Sequence, residues 1–177
     1  MKNKLSKYLK KNKHVKLFSN IKDDDTVYFG YIVGLSDTFV CLLTTDDFRQ
    51  DGFVIMPISV IKRVRHSKYE KTYQKIMKEE KRLNGIKKPK WLKLKSYKSI
   101  FKSLAKNYNN VIIESRYPRY DEFRIGKIKK IKNKKLLMRD FDAKGKWGKG
   151  NIHIPFKSIT DIKFKDEYST VFRKYVK

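Results

Sequence analysis

VKLFSNIKDDDTVYFGYI at residues 15–32 and VIIESRYPRYDEFRIGKI at residues 111–128 are two versions of one pattern. Val15, Leu17, Ser19, Asp25, Gly30 and Ile32 fall on Val111, Ile113, Ser115, Asp121, Gly126 and Ile128, each pair 96 positions apart. After a loop of different length the match resumes at a spacing of 98, with Pro57, Ile61 and Val64 falling on Pro155, Ile159 and Ile162. Self-similarity at a fixed period means that one structural unit is used twice. The 177 residues therefore divide into two small units rather than one domain.

Working outward from the repeat, each unit opens with a basic amphipathic stretch. In the first it carries Leu5, Tyr8 and Leu9; in the second, a helix predicted over 91–108 carries Trp91, Leu94, Tyr97, Phe101, Leu104, Ala105 and Tyr108 between lysines. Five strands follow in each unit, predicted at 14–19, 26–35, 38–45, 52–58 and 60–66, then at 110–115, 122–132, 135–141, 150–156 and 158–164. Period-two alternation is plain in Val27, Phe29, Tyr31 and in Phe123, Ile125. The dipeptides Ser36-Asp37 and Asn133-Lys134 suit tight hairpins. Ser67 with Glu70 forms a capping box for a trailing helix that runs past Leu83 to Asn84-Gly85, and Asp166 caps a second one bearing Tyr168, Val171, Phe172, Tyr175 and Val176.

The run Gly30-Tyr31-Ile32-Val33-Gly34-Leu35, continuing to Leu42-Leu43, resembles the first motif of the Sm-like superfamily of small SH3-like barrels. Pro57-Ile58-Ser59-Val60-Ile61 and Pro155-Phe156-Lys157-Ser158-Ile159 resemble the family's short turn between its last two strands. A glycine in a sharply bent second strand relieves crowding. The fold this implies is α+β, mainly β: two tandem five-stranded Sm-like/SH3-like barrels, each with a leading and a trailing helix. The copies would occupy 1–84 and 91–177 around a linker at 85–90. The family's nucleotide pocket does not carry over. Its base-contacting Asn falls on Val40 and Leu136, its Asp on Ser36 and Lys132, and its Arg-Gly pair is missing. Ring assembly does not carry over either, and the expectation is that the two copies pack on each other or within an oligomer.

Net charge is +27, unevenly spread. Residues 1–20 carry +7, residues 21–77 balance at zero, residues 78–106 carry +9 and residues 107–177 carry +11. Such an excess favours a polyanion or an anionic membrane surface, although a lysine-rich codon bias also raises it. The longest apolar runs are four or five residues, far short of the ~18–20 that span a bilayer. The basic start lacks the apolar core of a signal peptide, so no transmembrane segment and a cytoplasmic location are expected. Cys41, the single cysteine, lies in an apolar run and reads as a small buried hydrophobe.

His14, His66 and His153 lack metal-ligand spacing, and Asp140-Phe141-Asp142 begins a turn rather than a calcium loop, since the twelfth position is Asn151. No phosphate loop, nucleophile elbow or paired-carboxylate spacing is present. A nuclease built on Glu114, Asp121 and Glu122 would need convergence that a sequence does not display. The reading is non-catalytic, with no cofactor and no metal.

The binding constellation lies in the second copy and the helix leading into it. Lys127, Lys129, Lys130, Lys132, Lys134 and Lys135 decorate its long hairpin, and Lys144, Lys146, Trp147 and Lys149 lie in the next loop among glycines. Arg116, Tyr117, Arg119 and Tyr120 repeat the basic–aromatic mixture, and Lys98 and Lys102 stand on the leading helix. Trp147 either stands free to stack on a base or folds onto the barrel. The matching loops of copy one carry Asp23-Asp24-Asp25 and Asp46, Asp47, Asp51, which repel phosphate and suit a basic partner or the sister copy. The leading expectation is RNA or DNA bound through its backbone. Behind it stands a protein-interaction module of phage or plasmid type acting on an acidic protein, and then an anionic membrane surface.

Overall fold

A computed structural model describes residues 1–19, 26–117 and 120–177. The chain is α+β and mostly β. Its elements are α1 (Lys2–Lys10), β1 (His14–Ser19), β2 (Val27–Leu35), β3 (Phe39–Asp46), β4 (Arg49–Pro57), β5 (Ile61–Arg65), α2 (Lys68–Glu79) and α3 (Tyr97–Asn107). They continue with β6 (Val111–Tyr117), β7 (Tyr120–Ile131), β8 (Lys135–Asp140), β9 (Ile152–Pro155), β10 (Asp161–Phe164) and α4 (Glu167–Phe172). All ten strands form one open antiparallel sheet in the order β5-β1-β2-β3-β4-β10-β6-β7-β8-β9.

The duplication is present in the backbone. Each half has its first strand between its second and fifth, and the pairs Val15 with Gly30 and Val111 with Gly126 hold the same register. The second strand of each half shifts register at one equivalent place, between Ile32 and Gly34 and between Ile128 and Lys130. Each fourth strand ends at a proline followed by one 3-10 turn, Ile58–Val60 or Phe156–Ser158. Gly30 and Gly126 sit at φ +151° and +159°, where a Cβ would collide with the backbone of β3 or β8.

The two halves meet where β4 pairs with β10, through Phe53 with Phe164, Val54 with Lys163 and Ile55 with Ile162. Phe53 and Phe164 stack at 5.0 Å, and the Tyr28 hydroxyl donates to the buried Asp161 carboxylate at 2.7 Å. The inner face of the first half, including Leu17, Ile32, Leu42 and Met56, closes under Leu5 of α1. Its other face, including Tyr31, Phe39, Cys41 and Ile55, packs on Leu92, Leu94 and α3 and joins the interior of the second half in one core. Burial lifts the Cys41 thiol to about 12, so it stays protonated and inert.

Three helix boundaries depart from the sequence expectation. The leading helix begins at Tyr97 instead of 91, because Ser96 caps it, exchanging hydrogen bonds with Ser99. Before the cap the chain is non-helical, with Leu92 and Leu94 both buried, a spacing of two. α2 stops at Glu79, short of Asn84-Gly85, because Lys81 takes a left-handed φ of 54° and the Arg82 N–H turns back to the Met77 carbonyl. α4 ends at Phe172, before Tyr175 and Val176. Among the described residues no helix is long and apolar enough to cross a membrane.

Gly52 lies at φ +71° where the junction is tightest, and a Cβ there would drive into the backbone of Lys165 and Asp166. Its repeat counterpart, Gly150, has open space around it. Gly52→Ala should therefore cost about 2–4 kcal/mol from left-handed strain and overpacking. Gly150→Ala should stay within about 0.5 kcal/mol. Urea unfolding of the two variants checks this, and equal midpoints would contradict the junction geometry.

His14 is buried, with Nε2 2.9 Å from the Thr45 hydroxyl, its ring stacked on Tyr73 at 4.5 Å and no hydrogen-bond partner for Nδ1. Burial lowers it from 6.5 to about 4, against the opposing pull of Glu70. Between those values the unfolded chain binds a proton that the folded chain does not, so this contribution is complete above pH 6.5 and fades as pH falls towards 4. It amounts to about 3 kcal/mol at most. The fall in urea midpoint between pH 7 and 4.5 should be shallower in His14→Gln than in the wild type; parallel curves would dismiss the assignment.

Candidate nucleic-acid interface

The two halves present the same sheet face with opposite chemistry. Tyr31, Val33, Phe39 and Leu43 correspond at a spacing of 96 to Lys127, Lys129, Lys135 and Arg139, and Ile55 corresponds at 98 to His153. All five apolar residues of the first half are buried. Of their counterparts, Lys127, Lys129, Arg139 and His153 are exposed and Lys135 is half-buried. Burying Lys127, Lys129, Lys135 and Arg139 in a similar contact would carry a desolvation penalty of several kcal/mol per ion, so this face stays in water.

Local structure sharpens the display. Lys127 pairs with Arg139 and Ile128 with Met138, and the register then skips Lys129, so that Lys130 faces Leu137. Such a bulge breaks the alternation, leaving Lys129 and Lys130 both exposed. Lys132 and Lys134 are exposed at the hairpin tip.

Trp147 folds onto the sheet instead of standing free. It is half-buried, bridges to Phe141 and meets that ring edge-on at 5.5 Å. The Lys127 ammonium and the Arg139 guanidinium lie 5.0 and 5.5 Å from its ring centre, within cation–π range. Its loop turns on Asp142, which accepts the backbone N–H groups of Lys144 and Lys146 at 2.9 Å each. The Lys146 N–H leads in holding that carboxyl below the usual range, against an opposing desolvation and with help from the Lys144 N–H and the two ammonium groups. Lys144, Lys146 and Lys149 point into solvent.

A second cationic surface runs along α3. Ile100, Phe101 and Leu104 bury its apolar face, leaving Lys98, Lys102 and Lys106 exposed. Trp91, Lys93, Lys102, Lys106 and Asn107 line a groove of about 530 Å³ without an acidic side chain. The Lys165 ammonium lies 5.9 Å from the Trp91 ring centre.

Arg116 and Tyr120 lie in β6 and β7; Arg119 and Asp23-Asp24-Asp25 lie outside the described residues. Asp51 of the acidic first-half loop turns to the sister half, accepting the Glu167 backbone N–H at 2.8 Å. Of the carboxylates singled out as nuclease candidates, Glu114 is ion-paired with Lys163 and Glu122 with Arg124 at 3.4 Å, and the Asp121 side chain lies outside the described residues. Among the described residues no three His, Cys, Asp or Glu side chains gather in a way that could hold a metal.

Arg139 and His153 were missed by sequence reasoning, although the repeat spacing applied to the apolar positions of β3 and β4 points to both. The cleft between Phe123 and Tyr168 was missed as well, because no periodicity links those residues. No family model, no curated protein and no solved structure matches this chain.

Proposed function

We propose that the protein is a non-catalytic nucleic-acid-binding protein that grips phosphate backbone through the exposed β7–β9 face and the α3 groove. One observation carries the reading: on the face that is apolar and buried in the first half, Tyr31, Val33, Phe39 and Leu43 give way to Lys127, Lys129, Lys135 and Arg139 in the second, while Cys41 gives way to the half-buried Leu137. Duplicated scaffolds need no cations there for folding, since the first half does without them. Lys127, Lys129 and Lys135 stand at positions whose counterparts are apolar rather than polar.

We read each half as a bent small barrel of Sm-like type. The repeated strand order, the shared register shift and the 3-10 turn after Pro57 and Pro155 support that reading. Recognition is largely independent of sequence, because ammonium groups supply charge without the bidentate fork that reads base edges.

Binding of fluorescent RNA and DNA oligonucleotides at rising salt tests the proposal. Log affinity should fall with log salt by about 0.7–0.9 per phosphate neutralised. Lys127→Gln, Lys129→Gln and Arg139→Gln together should lower that slope by about 2–3 and weaken RNA and DNA alike. Absence of binding at ~50 mM salt sinks the proposal. So does a slope unchanged by the triple substitution, or one stoichiometric protein partner that survives nuclease treatment in place of nucleic acid.

A further inference from the structure

Beside the cationic face, between the start of β7, the loop after β8 and α4, lies a cleft of about 470 Å³. That volume falls in the range of sites that hold small planar ligands. A run of five rings borders it. Phe123 meets Tyr168 at 6.4 Å, Tyr168 meets Phe172 at 5.5 Å, Phe172 meets Phe141 at 5.2 Å, and Phe141 meets Trp147 at 5.5 Å. The two rings at its mouth are among the most exposed large apolar side chains described, Phe123 at 51% and Tyr168 at 56%. The first half builds the matching place differently: the counterparts of Phe123 and Arg124 are Val27 and Tyr28, Tyr28 is buried against Asp161, and the cleft of about 410 Å³ between the loop after β3 and α2 has Phe48 already stacked on Tyr73 at 4.6 Å.

The charges suit a neutral aromatic ligand that carries a phosphate. Beside the rings Arg124 is shared between Asp140 at 3.2 Å and Glu122 at 3.4 Å, and the Asp142 carboxylate on the lining is taken up by the Lys144 and Lys146 backbone N–H groups. Lys146 and Lys149 stand on the rim. Trp147 connects this cleft to the phosphate-binding face, since it lines the one and lies under Lys127 and Arg139 of the other.

We infer that the cleft takes an unpaired nucleobase, stacked against Phe123 and Tyr168, while the adjoining phosphates lie on Lys146, Lys149 and the β7–β8 lysines. This inference rests on the nucleic-acid reading above and adds to it a preference for single strands. In a duplex the bases are stacked on one another and unavailable to protein rings. A flexible strand can turn one out, and base–aromatic stacking tolerates any base.

The test compares a 12-nucleotide oligo(dT) with a 12-base-pair duplex, each titrated into the full chain at one salt concentration. Wild-type protein should bind the single strand about tenfold or more tightly, the scale of one stacked base. Phe123→Ala with Tyr168→Ala should remove that preference while leaving duplex affinity and its salt slope unchanged; both side chains are exposed, so the fold should tolerate the change. Tyr168→Phe should keep the preference and Tyr168→Leu should lose it. Equal affinity for both forms, or a preference indifferent to the two rings, overturns the cleft while leaving backbone binding intact. Failure to bind either form overturns the function itself.

Discussion

The pairing of β4 with β10 holds this molecule together. Three residue pairs join two sets of five strands into one sheet. The pairing also brings Phe164 against Phe53, Trp91 and Tyr108, so one ring links both halves and the segment between them. Without it, Tyr31, Phe39 and Ile55 would lose much of their cover, and contiguous apolar surface is rarely left in water. Burial of this face supplies the driving force for docking. Asp161, Asp51 and Gly52 set its register: the first two satisfy the Tyr28 hydroxyl and the Glu167 N–H, and the third admits the backbone of Lys165.

That junction explains why the copies diverged as they did. Once the first half had given its outer face to the core, the equivalent face of the second had no such partner and was free to become cationic. Lys127, Lys129, Lys135 and Arg139 on that face supply four of the charges by which residues 107–177 exceed residues 21–77. The acids of the first half fit the same account. Asp51 works at the junction, and Glu70, pushed up by burial but held down to about 2 by Arg65 and Ser67, fastens α2 to the end of β5.

Much of this was legible in the sequence because the repeat writes each strand twice. Gly30 with Gly126 and Pro57 with Pro155 mark the bend and the turn in both halves, and strand ends inferred from them fall within a few residues of those observed. Helix limits were less legible. Trp91, Leu94 and Tyr97 suit a helical spacing, yet Leu92 and Leu94 bury in a two-residue rhythm, and the Ser96–Ser99 cap decides where the helix begins. Which face of each half is buried was hidden for a different reason. Strand alternation distinguishes two faces without saying what will cover them, and Val33 and Lys129 occupy one position with opposite fates. The aromatic cleft depends on contacts across 45 residues, from Phe123 to Tyr168, and no local pattern reports such a meeting.

Within the chain the sheet ends at β9 and β5. Its free edges, β9 and β5, are the repeat counterparts of β4 and β10, so a second chain could in principle extend the pairing. The residues that make the junction specific are missing there. Asn151 stands for Phe53 and His66 for Phe164, so the ring stack has no equivalent. Lys149 replaces Asp51, which removes the acceptor for the helix N-terminus and sets a cation near the basic edge of Lys62, Arg63 and Arg65. In a chain of net charge +27 that contact opposes like charges, and no apolar gain offsets it. The duplicated unit thus repeats its strand order at both edges but not the side chains that make the central junction, and the lysine-bearing β7–β9 face adjoins one of those edges.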